Sequence, residues 1–167
     1  ASAVAASPDG SLVVAGMRTG DVIVGSVEGS WTTPLSFDQV RSVAAAADGG
    51  RFVVGRKNGV VEIYDAANHE KLTEIEYDGD VDKTAMSPEG QLVAVVGRGG
   101  AVSVHLAQSG RQIAEFEPET FSPKSLFFSD GSDLRGVSTD EESVTVFDCA
   151  RDEVVVRILQ RETVGAY

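Results

Sequence analysis

The sequence has few of the residues from which reactive or cross-linked sites are built. Its 167 residues include one cysteine, two histidines and one tryptophan. A single cysteine excludes an internal disulfide framework and is compatible with a reducing compartment, so we expect a cytoplasmic location. No metal-ligand spacing and no Ser/His/Asp or Cys/His grouping follows from the residue order. We therefore expect no catalytic residue, no metal and no cofactor.

Long apolar runs and excess positive charge are also missing. No apolar run approaches the roughly 18 residues of a membrane-spanning helix, and no signal-peptide pattern is present. The net charge of −12, from 14 basic and 26 acidic residues, argues against nonspecific binding to nucleic acid or to an anionic membrane. The chain begins at Ala1 in a strand-like segment without Met, which suggests a processed or trimmed piece.

Glycine is abundant, with 18 residues, and it marks a repeated turn. Ser-Pro-Glu-Gly at 87–90 separates two apolar segments, and related turns occur at 7–10, 46–49 and 129–131. In such turns Pro presets φ and Gly supplies the positive φ that other residues resist. The acidic turn residues are spaced by 39, 41 and 41 positions: Asp9, Asp48, Glu89 and Asp130. A period of about 40 residues predicts structural repeats.

Each repeat contains four short strand-like segments, and no window keeps a helical period. The second repeat is the clearest, with segments at 40–45, 51–55, 60–64 and 72–77, and with Lys-Asn-Gly at 57–59 as a hairpin signal. Four equal groups of four strands favour radial repetition over a sandwich. We predict an all-β single domain, a β-propeller of four four-stranded antiparallel blades at about 1–37, 38–78, 79–118 and 119–160.

The third strand of two repeats ends in an aromatic residue followed by Asp, at 64–65 (Tyr-Asp) and 147–148 (Phe-Asp). Together with the Ser-Pro-Asp-Gly turn and the Gly-bounded hairpin, this pattern resembles the WD-repeat β-propeller family over the whole chain. The equivalent positions 25–26 (Gly-Ser) and 105–106 (His-Leu) depart from it, and the Gly-His dipeptide before the first strand is missing in every repeat. The family's His–Ser–Asp–Trp tetrad is therefore incomplete here.

The number of blades leaves three arrangements open. Members of the family usually close seven or eight blades, whereas this chain supplies four, and a half-ring exposes two apolar blade faces. Two chains could share an eight-bladed ring, the four blades could dock with further blades of a longer parent, or four blades could close by themselves. We expect self-association or docking with further blades.

The resemblance also implies a basic face. In the family, the start of the first strand and the turn between the second and third strands open on the same face of the disc. These places hold seven basic residues: Arg18, Arg41, Arg56, Lys57, Lys83, Arg98 and Lys124. We expect this face to bind a protein partner through an acidic or phosphorylated peptide. The alternative is that they are ordinary solvated turn residues.

Several other patterns are weaker. Residues 78–89 resemble the start of an EF-hand loop, but Lys83 occupies the place that needs Gly, so we predict an acidic solvated loop. His105 is predicted to be a packed ring and Cys149 a structural or surface thiol. Five aromatic residues are predicted to pack between neighbouring sheets: Trp31, Phe37, Tyr77, Phe116 and Phe121.

The residues and the resemblance together predict a non-catalytic protein–protein interaction scaffold of WD-repeat-like type. Two alternatives remain open. The four repeats could be structural blades that complete a larger propeller, or the chain could be a propeller enzyme or cofactor carrier, which would need histidine ligands or stacked tryptophans near the axis. Fold alone does not choose among these functions.

Overall fold

The structure, a computed structural model, describes residues 3–117, 123–129, 133–139, 143–151 and 153–159. Two sequence expectations lie outside these ranges: the turn acid Asp130 and the aromatic Phe121. Sixteen β-strands and no helix are present in the described ranges. No helix there is long and apolar enough to span a membrane.

The strands form four separate four-stranded sheets, here called blades 1 to 4. Blade 1 contains β1 (Ala3–Ala6), β2 (Val13–Gly16), β3 (Asp21–Gly25) and β4 (Trp31–Ser36). Blade 2 contains β5 (Val40–Ala45), β6 (Arg51–Arg56), β7 (Val60–Asp65) and β8 (Lys71–Glu76). Blade 3 contains β9 (Val81–Met86), β10 (Leu92–Gly97), β11 (Val102–Leu106) and β12 (Gln112–Phe116). Blade 4 contains β13 (Ser125–Phe128), β14 (Leu134–Thr139), β15 (Ser143–Asp148) and β16 (Glu153–Leu159).

Each blade is an antiparallel meander whose strands pair in chain order. The first strands of successive blades pack side by side, β1 on β5, β5 on β9 and β9 on β13, so they form the inner edge of a fan. The predicted all-β propeller with four antiparallel blades is confirmed. The strand bounds of blade 2 differ from the predicted segments by one residue: β6 and β7 each end one residue later, and β8 begins and ends one residue earlier.

The hydrophobic core is divided into three layers, one between each pair of consecutive blades. Val14 and Val22 of blade 1 pack on Phe52 and Val54 of blade 2. The other two layers are rich in valine and alanine and join blade 2 to blade 3 and blade 3 to blade 4. Since successive side chains of a strand point to opposite faces, a blade between two others needs apolar residues on both faces. This is why β10 is an unbroken apolar segment, buried from Val93 onward.

The repeated turn is held by its own side chains. The Ser7 hydroxyl donates to Asp9 (2.6 Å) and accepts from the backbone N–H of Leu12 (3.0 Å). The bond from Ser7, together with bonds from the backbone and hydroxyl of Ser11, lowers the pKa of Asp9 to about 2. Ser87 likewise accepts from the N–H of Leu92 at 3.0 Å. The Ser-Pro-acid-Gly pattern is therefore a self-bonded hairpin turn.

A second glycine recurs in the turn between the second and third strands of blades 1 to 3. Its φ is positive in each case: Gly20 (104°), Gly59 (88°) and Gly100 (92°). L-residues with a Cβ rarely adopt such angles. At Gly20 a Cβ would also overlap the carbonyl oxygen of Phe37, because the Phe37 N–H donates to the Gly20 carbonyl at 2.9 Å and holds the two segments together.

We expect Gly20→Ala to lower the free energy of unfolding by more than about 2 kcal/mol, from backbone strain together with the clash. Gly29→Ala is the matched control, since a Cβ there meets nothing within 4 Å. It should change stability by less than about 0.5 kcal/mol. Urea denaturation followed by circular dichroism measures both variants. Similar stability of the two variants would show that the turn tolerates a side chain.

Candidate functional site

Four of the seven basic residues predicted for one face line a single cleft. Arg18, Arg41, Lys57 and Lys83 surround a space of about 710 Å³ together with Gln39, Val40 and Asp82. This set of residues is called the basic cleft below. It contains four cations and one carboxylate, in a chain whose net charge is −12. The cleft is therefore positively charged, although the molecule as a whole is negatively charged.

Turn and strand backbones place these side chains. Arg18 lies in the turn between β2 and β3, where the Gly20 N–H donates to the Met17 carbonyl at 3.0 Å. Lys57 lies in the equivalent turn of blade 2, and its N–H donates to the carbonyl of Gln39 at 3.1 Å. That bond joins the turn to the residue just before β5. Arg41 is the second residue of β5. Gln39 itself has a positive φ of 55°.

The cations of the cleft differ in how far the protein already neutralises them. The Lys83 ammonium lies 3.6 Å from the Asp82 carboxylate, so this pair is internally compensated. Arg18, Arg41 and Lys57 form no ion pair within the described part of the chain. Arg18 and Arg41 are exposed, and Lys57 is half-buried. Three cations thus remain available to an external anion.

The basic cleft meets a second cavity on the fan's inner side. This central cavity of about 650 Å³ is lined by residues of all four inner strands, including Val4, Ala44, Thr84 and Phe127. Arg41 and Lys83 line both spaces. The basic cleft therefore lies at one end of the inner edge, and the central cavity continues from it between the strands.

The other three predicted basic residues do not line the cleft. The guanidinium of Arg56 is largely buried, 5.2 Å from the ring centroid of Phe37 and 3.5 Å from the Glu62 carboxylate. Arg98 is exposed and lies 3.8 Å from Asp80. Lys124, also exposed, precedes β13 and is not a lining residue of the cleft.

The Glu62 carboxylate explains why Arg56 points inward. Glu62 is buried in β7, and its second oxygen accepts a hydrogen bond from the Lys71 ammonium at 3.3 Å. A buried carboxylate needs such cations, because an uncompensated charge is strongly destabilising away from water. The sequence pattern does not indicate this burial, since Glu62 alternates with Val61 and Ile63 as a solvent-facing residue would.

His105 is a packed ring, as predicted, and belongs to a buried pair inside blade 3. Its Nε2 lies 2.8 Å from the Ser103 hydroxyl and its Nδ1 lies 3.0 Å from the Gly110 carbonyl. A carbonyl can only accept, so Nδ1 carries the proton and Nε2 accepts from Ser103. Burial lowers the pKa of His105, and the bond to Gly110 opposes this effect. The pair is enclosed by the blade rather than open to a cavity.

The remaining sequence candidates occupy ordinary positions. Cys149 is buried in the layer between blades 3 and 4. His69 lies in the polar turn before β8, with a positive φ of 60°. No group of three metal-ligating side chains forms in the described ranges. The prediction of an acidic solvated loop at 78–89 is wrong, because half of this segment is β9, in which Val81, Ala85 and Met86 are buried.

Besides Val40, sequence reasoning missed two polar lining residues, Gln39 and Asp82. Both lie next to a predicted inner strand, and their spacing of 43 positions is close to the repeat period. That spacing is the signal that could have identified them. Asp82 matters because it moderates the charge of Lys83.

The comparisons with known proteins show the fold alone. No protein-family model and no curated protein sequence matches the chain. Among solved structures, the chain is similar to Kuenenia stuttgartiensis hydrazine synthase, with a TM-score of 0.72 and 19% sequence identity. The match covers 96% of this chain and 49% of that chain. The chain thus spans about half the length of its structural neighbour.

We expect Arg56→Ala to lower the free energy of unfolding by about 1–3 kcal/mol, because it removes one cation beside a buried carboxylate. Arg98→Ala is the control, because it removes a cation from an exposed ion pair. It should lower the free energy of unfolding by less than about 0.5 kcal/mol. Chemical denaturation of both variants tests this. If Arg56→Ala lowered the free energy of unfolding by no more than the control does, the Arg56–Glu62 contact would have no role in stability.

The buried His105 should make stability fall with acid. Its folded pKa is lowered below its ordinary value, so the unfolded chain binds the proton more readily. The contribution of His105 to the free energy of unfolding is therefore fully present above pH about 6.5, the ordinary histidine pKa. It is lost as the pH falls from there toward the lower pKa of the folded state. The thermal midpoint should be measured at about pH 7.5 and about pH 5.5, one unit on each side of the ordinary histidine pKa. Between these two pH values the midpoint of wild type should fall further than that of His105→Gln. The control variant His69→Asn should show the same fall in thermal midpoint between these pH values as wild type.

Proposed function

We propose that this propeller is a non-catalytic interaction module and that the basic cleft binds an acidic or phosphorylated segment of a protein partner. The observation that carries this proposal is the convergence of Arg18, Arg41, Lys57 and Lys83 on one cleft of about 710 Å³. Arginine guanidinium groups bind carboxylates and phosphates through paired N–H donors, which gives both energy and orientation.

The charge balance narrows the class of ligand. The net charge of −12 repels long polyanions over the whole surface, whereas the basic cleft attracts negative charge locally. A short peptide segment with a few carboxylates or one phosphate brings its charge only to the cleft. A nucleic acid extends its phosphates across the acidic surface as well, which supports a peptide ligand over a polynucleotide.

The groups in the cleft favour binding over catalysis. Its described lining contains cations, an amide, an apolar residue and one carboxylate, without a nucleophile beside a base. The Ser103–His105 pair is buried in blade 3 and does not reach the cleft. The structural neighbour is an enzyme by its title, but 19% identity relates the two proteins only by fold.

A relationship to WD-repeat propellers is part of this proposal. It is supported by the turns that follow the aromatic-Asp pairs. The Asp65 carboxylate accepts the N–H of Ala67 at 2.8 Å, and the Asp148 carboxylate accepts the N–H of Ala150 at 2.9 Å. The Asp of the motif thus has the same turn-capping role in blades 2 and 4. The single cysteine fits a cytoplasmic setting.

The proposal is tested by peptide binding to charge-reversal variants. Fluorescence anisotropy compares a labelled glutamate-rich peptide, a phosphoserine peptide and an uncharged peptide of equal length. Wild type should bind one or both anionic peptides and not the uncharged one. Lys57→Glu should weaken binding about tenfold, equivalent to about 1.4 kcal/mol, and the triple variant Arg18→Glu, Arg41→Glu, Lys57→Glu should abolish it.

Arg98→Glu is the matched control, because Arg98 occupies in blade 3 the turn position that Lys57 occupies in blade 2. Both N–H groups donate to the carbonyl of the residue just before the inner strand of their own blade, Gln39 for Lys57 and Asp80 for Arg98. Only Lys57 lines the cleft. Equal weakening by both substitutions would show a diffuse charge effect, and the absence of binding by wild type would rule out this ligand class.

A further inference from the structure

A polar groove of about 500 Å³ lies between blades 1 and 2, at the opposite ends of the strands from the basic cleft. It is formed by the turns that follow β1, β3, β5 and β7, whereas Arg18 and Lys57 of the basic cleft lie in the turns that follow β2 and β6. The two sites share no lining residue. Six side chains give the polar groove its polar lining: Ser11, Ser26, Ser30, Thr32, Asp65 and His69.

An arginine closes the equivalent position between blades 2 and 3. Arg51 lies at the start of β6, and its Nη1 donates a hydrogen bond of 3.0 Å to the carbonyl of Gly90 in blade 3. The hydroxyl of Thr73 donates to the carbonyl of Gln108 in blade 3 at 3.1 Å. Blade 2 therefore supplies a guanidinium and a hydroxyl to two turn carbonyls of the next blade.

A leucine replaces this arginine between blades 1 and 2. Leu12 holds the position of Arg51, because each lies two residues after a turn glycine and accepts, through its carbonyl, the N–H of the residue that opens the turn. The Leu12 side chain is buried in the layer between blades 1 and 2 and has no hydrogen to donate. The carbonyl of Gly49, equivalent to that of Gly90, consequently accepts no hydrogen bond within the described part of the chain.

The threonine bond has no counterpart between blades 1 and 2 either. Thr32 precedes Thr73 by 41 positions and Ala67 precedes Gln108 by the same number, so both pairs hold equivalent places in the repeat. The Thr32 hydroxyl donates to the Val24 carbonyl of its own blade at 3.4 Å. The carbonyl of Ala67 is thus a second turn oxygen without a donor among the described residues.

The blade 1 wall of the polar groove has small side chains, because the large neighbour of Thr32 lies on the other face of β4. That neighbour, Trp31, lies over Gly25 and is half exposed. Contrary to the prediction, Trp31 does not pack between two of the described blades. The other three described aromatics of the predicted set are partly buried against the interblade cores, as expected: Phe37, Tyr77 and Phe116.

The polar groove also contains a carboxylate without a cation. Asp65 is half-buried, and its Oδ1 accepts two backbone N–H groups of its own turn. In blade 4 the equivalent Asp148 forms an ion pair with Arg135, which lies opposite it in the sheet. Arg51 lies opposite Asp65 in the same way, but its guanidinium reaches blade 3 instead. Asp65 therefore forms no ion pair, with His69 or any other residue, in the described ranges.

These groups define the chemistry of a ligand. A carboxylate and two turn carbonyls can only accept hydrogen bonds, and no Lys or Arg is among the described lining residues. A guanidinium has five N–H donors in one plane and no acceptor, so it can bind several such oxygens together. An ammonium is a compact, strongly hydrated charge and satisfies a spread of oxygens less well.

We propose that the polar groove binds an arginine side chain from a basic segment of a protein partner, in the place that Arg51 takes between blades 2 and 3. The chain itself thus shows how a guanidinium occupies this position. The net charge of −12 attracts a basic segment over a longer distance. The proposal goes beyond the function of the basic cleft and is independent of it, because the two sites have different residues and bind opposite charges.

A nuclear magnetic resonance titration of the ¹⁵N-labelled chain tests the ligand. The probes are a Gly-Ser peptide with one central arginine, the same peptide with citrulline, which has the shape of arginine without its charge, and free arginine amide. The arginine peptide should shift the amide signals of Gly50 and Ala67 and leave that of Lys57 unchanged. The citrulline peptide and arginine amide should each bind about tenfold more weakly or less, from the loss of charge and of contacts to the peptide backbone.

Three results of this titration would overturn the proposal. One is the absence of shifts with the arginine peptide, and another is equal affinity for the citrulline peptide. Equal affinity for arginine amide would show that the polar groove takes a small guanidinium compound rather than a segment of a protein.

Two matched substitutions locate the contact. Asp65→Asn keeps an oxygen to accept the N–H groups of the turn but removes the charge, so it should weaken binding of the arginine peptide about tenfold. Asp148→Asn makes the same change at the equivalent turn of blade 4, where the carboxylate already has a cation. It should change the affinity by less than about twofold, equivalent to about 0.4 kcal/mol. Equal weakening by both variants would indicate a diffuse charge effect and contradict the proposal.

Leu12→Arg tests the position by filling it from within. The new guanidinium should reach the Gly49 carbonyl as Arg51 reaches that of Gly90, and binding of the arginine peptide should be lost. A folded Leu12→Arg chain that bound the peptide as wild type does would show that the ligand lies elsewhere. The amide spectrum reports whether the fold is kept, and Asp65→Asn tests the same site without a change in the core.

Discussion

The structure depends on the packing of one sheet face on the next. Each interblade layer joins two flat surfaces of valine, alanine and a few larger residues, and the layers contain most of the fully buried side chains. The close approach requires a missing side chain at the end of β2, where a Cβ on Gly16 would press against Val40 of blade 2. A buried polar link adds direction, because the hydroxyls of Ser42 and Thr84 lie 2.9 Å apart across blades 2 and 3. Hydrophobic contact sets the spacing between the blades, and this bond fixes the lateral position of β5 against β9.

This packing also creates the basic cleft. Once the inner strands lie side by side, the residues that precede them and the turns that bond to them come to one edge of the fan. The bond from the Lys57 N–H to the Gln39 carbonyl is repeated from Arg98 to Asp80 one blade later. The backbone therefore offers the same position in successive blades, and the side chains decide its use. In blade 2 the position holds a cation without an internal partner, whereas in blade 3 the cation lies near Asp80.

Much of the fold could be predicted from the sequence because the repeat is carried by local chemistry. The turn glycines Gly10, Gly49 and Gly90 have φ values of 71°, 71° and 65°, so the turn that the period indicated is one conformation used three times. The site was only partly predictable. Arg56 and Lys57 are adjacent in sequence, yet one points into the blade and the other into the cleft. That choice depends on the buried Glu62, whose environment is set by contacts distant in sequence. Single-residue patterns contain no information on such contacts.

The polar groups within the blades vary while the geometry is kept. After β7 and β15 an Asp carboxylate accepts two backbone N–H groups, and Arg135 pairs with Asp148 in blade 4. Blade 3 has His105 at the position of the aromatic residue, and it links Ser103 to the Gly110 carbonyl instead. Blade 2 holds Glu62 between Arg56 and Lys71. No single polar network is therefore necessary for a blade to form. The necessary features are a turn that reverses the chain and a sheet that is apolar on each face packed against a neighbouring blade. Because the polar residues are not held to one pattern, they are free to differ from blade to blade, and the basic cleft is one such difference.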